Sequence, residues 1–168
     1  MYHVGYPGEP IPWHLLPREM VIKCNHSSGG LIIVSSDVKN KGQQQTLDSL
    51  NWGKHLIHSD DIDRDKVQEF FDRLLRRNFA DSLGFREFAY LEIPPKLNVE
   101  ELLKDERGEI PSDFKFWCIN GRVEVIQVDV ARYSNHCRVL YDRNWNAIPV
   151  RLNYPLPQGD VPSPRNLK

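Results

Sequence analysis

Four groups of residues in this chain have types and spacings that chemistry could use. Lys23 lies near the end of a short apolar run and is followed by His26-Ser27-Ser28-Gly29-Gly30. A lysine on a strand beside a glycine-containing turn can meet a phosphate with its charge and with backbone N–H groups together. The stretch is not the GxxxxGK[ST] of a P-loop, and a surface lysine beside a hairpin turn would read the same way. Asp113 and Lys115 are two residues apart, so on a strand they share a face. A hairpin after them would return Arg132 to their neighbourhood. Acid, lysine and arginine on one face suit ribose hydroxyls and phosphates, although a solvated salt-bridge face has the same composition. Glu100-Glu101 follow an apolar stretch and could hold ribose hydroxyls or an amine, or simply make a charged turn. His55, His58, Asp60, Asp61 and Asp63 offer imidazole and carboxylate, and the histidine spacing resembles part of a helix-borne metal site. No third ligand position follows from that spacing, and the acids serve equally well at a helix start, so no metal ligand is assigned. Ser27 and Ser28 lie in no nucleophile elbow, and no catalytic residue is assigned.

The elements that must position these residues can be read from periodicity. Met20 to Asn25 is short, apolar and partly β-branched, which fits a strand. Leu31 to Val34 is a continuous apolar run fit for a buried strand, and the glycine-containing loop between the two makes them a hairpin. Val38 to Gln45 is polar and reads as an exposed segment. Asp63 to Leu83 predicts the main helix: Val67, Phe70, Phe71, Leu74, Leu75 and Phe79 recur at three-and-four spacing and build one apolar stripe. Acids near its start and Arg73, Arg76 and Arg77 nearer its end suit the helix dipole, with Gly84 as the stop. Lys96 to Leu103 reads as strand and then turn. Phe114 to Ile119 and Val123 to Val130 flank Asn120-Gly121, the strongest short hairpin signal. Val139 to Trp145 is a further strand. The order β-β-α-β-β-β predicts an α+β fold, not a wound parallel sheet.

Composition bounds what such a fold could do. The chain has 168 residues, room for one domain or a small pair,. With 40% hydrophobic and 27% charged residues, disorder over the full length is excluded,. Lys plus Arg is 22 and Asp plus Glu is 23, a formal charge of -1, so the basic excess of a nucleic-acid binder is missing while small anionic ligands stay open. Cys24, Cys118 and Cys137 are odd in number and widely spaced, which suggests neither a disulfide framework nor a zinc site. No apolar run approaches the ~18 residues of a membrane span, and the N-terminus lacks a signal-peptide layout. A cytoplasmic protein is expected. The 12 prolines gather towards the ends, and proline blocks helix interiors and central strands. Regular structure is therefore expected between Leu16 and Val150. The expected organisation is a proline-rich N-terminal extension over 1–18, a domain over 19–148 and a proline-rich tail over 149–168.

In order, these segments resemble the TupA-like branch of the ATP-grasp superfamily, named for teichuronopeptide synthesis. The matching stretches are LPREMVIKCNHSSGG (Leu16 to Gly30), IPPKLNVEEL (Ile93 to Leu102) and SDFKFWCINGRVEVIQVDVAR (Ser112 to Arg132), with HCRVLYDRNW (His136 to Trp145) as a weaker match. The resemblance covers about 130 residues,. It implies a partial ATP-grasp fold, α+β, with an antiparallel sheet, one main amphipathic helix and a nucleotide site between two lobes. By position, it implies that Lys23 contacts ATP phosphate and that His26, Ser27, Ser28, Gly29 and Gly30 form the flexible phosphate cover. Asn98 through Leu102 would be the hinge strand against adenine, with Glu100 or Glu101 near the adenine amine or ribose. Asp113 would sit by the ribose, and Lys115 and Arg132 would face phosphates. The family's activity implies use of ATP to activate a carboxylate as an acyl phosphate, which an amine attacks to give an amide.

The chain departs from the family's pattern in three places. Only 22 residues precede Lys23, where the family places a further domain. Asp160 is the only acid after Asp142, where the family places Mg²⁺-binding carboxylates, so Mg²⁺ is expected for the family without its ligands in this chain. The loop reads His-Ser-Ser-Gly-Gly where His-Gly-Ser-Gly-Gly is the pattern. The resulting expectation is a chain truncated at both ends. It would bind ATP, be related to carboxylate–amine ligases of cell-surface polysaccharide synthesis, and be incomplete and inactive alone. A degenerate, non-catalytic binding module that keeps the fold is the alternative. Expected partners are ATP, an acidic or amino substrate or glycan precursor, and a second copy or complementing chain, with no nucleic acid.

Overall fold

The computed structural model describes residues 1–38, 54–77 and 88–163. The chain forms two compact units, Met1–Leu102 and Leu103–Lys168.

The first unit is a five-stranded sheet with one α-helix. In chain order its strands are β1 (His3–Gly5), β2 (Met20–Cys24), β3 (Leu31–Ser35), β4 (Lys54–His58) and β5 (Leu97–Glu100). Their spatial order is β1-β5-β2-β3-β4, antiparallel except for the parallel pair β3–β4. The hairpin expected from Met20 to Val34 forms, with Met20 opposite Val34 and Lys23 opposite Leu31. Residues of β2 alternate between the two faces of the sheet. Met20, Ile22 and Cys24 are buried in the core that also takes Ile32, Val34, Ile57, Leu97 and Val99. Val21 and Lys23 face the other way and are half-buried. The helix α1 (Arg64–Leu75) supplies Val67, Phe70, Phe71, Leu74 and Leu75 to the same core. Its start is set by Asp63, whose side chain accepts from the Lys66 N–H at 3.1 Å, the usual way to satisfy an orphan N-terminal donor.

Three sequence expectations need correction in this unit. Regular structure starts at His3, before the expected Leu16, because β1 precedes the first proline and pairs with β5 at the sheet edge. His55 and His58 lie on a strand, not on a helix. Residues three apart on a strand point to opposite faces; His55 is buried edge-on to Phe70, whereas His58 lies beside Asp60. The expected antiparallel sheet forms, with β3 and β4 as its one parallel pair. Finally, α1 ends at Leu75, short of the expected Leu83, with the Arg76 N–H closing back on the Leu74 carbonyl. Phe79, Gly84 and most of Val38 to Gln45 lie outside the described residues.

The second unit is an antiparallel four-stranded sheet in the order β6-β7-β8-β9: β6 (Asp113–Ile119), β7 (Arg122–Val130), β8 (Cys137–Tyr141) and β9 (Ala147–Ile148). The Asn120-Gly121 turn joins β6 and β7 with both residues at positive φ, 49° and 74°, as a tight hairpin turn of the primed type requires. One face of this sheet is apolar: Ile126, Val128, Val139 and Tyr141 pack with Phe114, Val123, Val130, Trp145 and Val161. The strand expected over Val139 to Trp145 runs earlier, because Asp142 accepts from the N–H groups of Asn144 and Asn146 and turns the chain there,. Part of the proline-rich tail is packed: the Val161 carbonyl accepts from Tyr141 Oη and Trp145 Nε1, both at 3.3 Å.

Candidate functional site

In the first unit, Lys23 projects from the sheet face opposite α1. It stands opposite Asn98 of β5, and its Nζ reaches diagonally to Glu100 Oε2 at 2.6 Å, a normal cross-strand reach for long side chains. Both groups are partly exposed, so the pair is open to exchange with a ligand. Glu101 lies just past the end of β5 and is exposed.

The loop after β2 is pinned at its stem. Asn25 donates its backbone N–H to Lys96 O and its Nδ2 to Pro94 O, and its Oδ1 accepts from Lys96 N at 2.7 Å. His26 is buried and its Nε2 faces the carbonyls of Leu74 and Arg77. At the tip Ser27 Oγ donates to Gly29 O, Ser28 is exposed, and Gly29 and Gly30 have φ of 93° and 61°. Those are left-handed backbone angles that glycine adopts without steric cost,. A cavity of about 240 Å³, lined by Trp13, Leu16, Met20, Val34, Ile62 and Arg64 among others, lies at the other end of β2 and does not include Lys23.

In the second unit, the face of the sheet opposite the apolar core carries charge. Asp113 and Lys115 lie on β6 across from Asp129 and Gln127 of β7, and Arg138 of β8 lies across from Asp129. Lys115 Nζ lies 2.5 Å from Asp113 Oδ2, and Arg132 Nη1 bonds the same oxygen. The hub is Asp129, fully buried. It accepts from Arg138 Nε at 2.6 Å, Gln127 Nε2 at 2.8 Å and Lys115 Nζ at 3.2 Å, and pairs with His136 Nε2 at 2.8 Å. Burial pushes this carboxyl up, but the hydrogen bonds from Arg138, His136, Gln127 and Lys115 outweigh it and hold Asp129 below the usual carboxylate range,. Tyr154 stacks on His136 at 3.7 Å and lies under the Arg138 guanidinium. Arg132 Nε is buried and has no hydrogen-bond partner.

The structure therefore brings Lys23 together with Glu100, and Asp113 together with Lys115 and Arg132. It turns His26 inward and leaves Glu101 and Ser28 exposed. Sequence reasoning missed Asn25, Gln127, Asp129, His136 and Arg138. Asp129 had a signal: an acid between two valines in a run that pairs on both sides must be buried, and a buried acid must be paired.

The chain matches the TupA-like ATPgrasp family over residues 8–168 and belongs to it. The α+β architecture is consistent with a partial ATP-grasp fold. No curated protein and no solved structure matches the chain. Membership supports nucleotide binding. Within the first unit, a half-exposed lysine and a loop with left-handed glycines are groups that a phosphate could meet. Among the described residues no group of three or more His, Cys, Asp or Glu side chains could hold a metal. No described helix is long and apolar enough to cross a membrane.

Proposed function

We propose that this TupA-like ATP-grasp chain binds ATP and is related to the ATP-dependent carboxylate–amine ligases of cell-surface polysaccharide and teichuronopeptide synthesis. In this reading Lys23 contacts phosphate, and His26 through Gly30 form the loop over it. Asn98 through Leu102 lie against adenine, with Glu100 or Glu101 at its amine or at the ribose. Asp113 serves the ribose, and Lys115 and Arg132 serve phosphates. Reactions of this class need charge neutralised and groups positioned more than covalent chemistry by the protein. The acid and amine joined are a carboxylic substrate and an amino or glycan precursor. A cytoplasmic location is supported by three free cysteines,.

The observation that carries the reading is Lys23 beside a loop with two left-handed glycines, its charge held by an exchangeable carboxylate. Glu100 releases Lys23 to a phosphate at little cost, since exposed pairs contribute only about 0–1 kcal/mol. Calorimetry with ATP and Mg²⁺ tests it. Saturable heat below millimolar nucleotide is expected, with Lys23→Ala weakening affinity about tenfold, or 1.4 kcal/mol. No heat up to millimolar ATP sinks the reading, and an unchanged Lys23→Ala sinks the site assignment. Phosphate release measured alongside separates the two forms of the reading: sustained release marks a ligase-type site, and binding without release marks a binding module that keeps the fold.

A further inference from the structure

The second pin of the loop is a histidine that does not face solvent. His26 is 2% exposed. Its Nε2 lies 3.2 Å from the Leu74 carbonyl oxygen and 3.0 Å from that of Arg77. Leu74 is in the last turn of α1 and Arg77 lies just beyond it. Carbonyl oxygens only accept, so Nε2 must carry the proton and donate to both. Nδ1 is buried without a hydrogen-bond partner, which fits a ring held by its other nitrogen.

The last carbonyls of a helix lack partners from a following turn. Leu74 O accepts from the Arg76 and Arg77 N–H groups as the chain closes, and His26 adds a donor from outside the helix to it and to Arg77 O. Here the donor comes from a loop 48 and 51 residues away in sequence. It can serve both carbonyls only while the loop stem and the helix end keep one arrangement. Asn25 holds the adjacent residue of the stem against Pro94 and Lys96. The stem is thus fastened on two sides, and the tip from Ser27 to Gly30 starts from a fixed base.

We propose that His26 is a positioning residue for the anion-binding loop, tying it to the C-terminal end of α1 so that the loop and the helix end order and disorder together. A ring proton committed to two carbonyls is not available to a phosphate, so contacts to an anion fall to the loop tip and Lys23. The role of the loop rests on the nucleotide reading above; the anchor does not.

Two variants of the full chain test this. His26→Gln keeps a donor at the reach of Nε2, and His26→Phe keeps a ring and removes the donor. Amide hydrogen exchange at Ser27 to Gly30 and at Leu74 to Arg77 should quicken about tenfold in His26→Phe, the size expected for losing one net hydrogen bond, and stay near wild type in His26→Gln. Unchanged exchange in His26→Phe, or quickening at the loop alone, overturns the coupling. If His26→Phe does not fold, ring ¹⁵N shifts of the wild-type protein decide: a proton on Nδ1 in place of Nε2 overturns the anchor. In nucleotide titrations, His26→Phe should weaken ATP about tenfold more than adenosine. Equal losses would make His26 a structural residue without a role in holding the loop for phosphate. Wild-type protein that binds neither ligand would remove the nucleotide reading, and the exchange experiment would still decide the anchor.

Discussion

The two units hold their charged residues in opposite ways. In the first, Lys23 and Glu100 form a single ion pair on an open sheet face, with both side chains partly exposed. In the second, Asp129 has no exposure and gathers Lys115, Gln127, His136 and Arg138 around one carboxylate. Coulomb attraction is weak where water screens it, and an exposed pair contributes little to stability. A buried carboxylate is costly unless its lone pairs are filled, and losing one partner leaves the cost unopposed. The first arrangement leaves a lysine free to change partners. The second fixes the shape of a charged face whose outer groups, Lys115 and Arg132, are only partly covered.

That contrast predicts a graded set of effects. The largest is at Asp129: Asp129→Ala should destabilise the second unit by about 3–5 kcal/mol, the usual result of stripping one member from a buried charge cluster. Urea unfolding followed by tryptophan fluorescence would measure it, and a loss below about 1 kcal/mol, the scale of an exposed pair, would erase the distinction between the units. Acid should expose the same difference. The Asp129 pKa is lower folded than unfolded, so its contribution is complete above about pH 4 and disappears as pH falls through the folded value. Wild type should lose more stability than Asp129→Asn over that acid range, and parallel pH profiles would show that the hub is not the acid-sensitive element. A middling effect belongs to Asp63→Ala, which removes the cap of α1 and should cost about 1 kcal/mol by thermal or chemical unfolding,. The smallest is Lys23→Ala, expected to change stability by less than about 0.5 kcal/mol in unfolding experiments, as for a partly exposed ion pair,. A loss of several kcal/mol there would make Lys23–Glu100 a structural pair like those around Asp129.

Much of this organisation was legible in the residues. Asn120-Gly121 set the β6–β7 hairpin because both positions needed positive φ, and the apolar stripe from Val67 to Leu75 named the buried face of α1. The two-residue spacing of Asp113 and Lys115 put them on one face. Other features depended on distant partners. β1 is three residues long and exists because β5 offers an edge. His55 was read as a ligand type, but Phe70 and the sheet made it a core residue. His26 was read with its loop, and the carbonyls that hold it come from a helix end far along the chain.

What the sequence determined by itself was local: hydrophobic period, turn chemistry, helix capping and the order of motifs that carries the family resemblance. These depend on residues a few positions apart and on backbone preferences that travel with them. What the tertiary structure decided was which charges are buried, which partners they take and which way a histidine turns. Those outcomes depend on desolvation and on contacts between residues tens of positions apart. Asp129 and Lys23 are both charged residues on half-apolar strands in the sequence; only the sheet neighbours made one a buried hub and left the other partly exposed in a single ion pair.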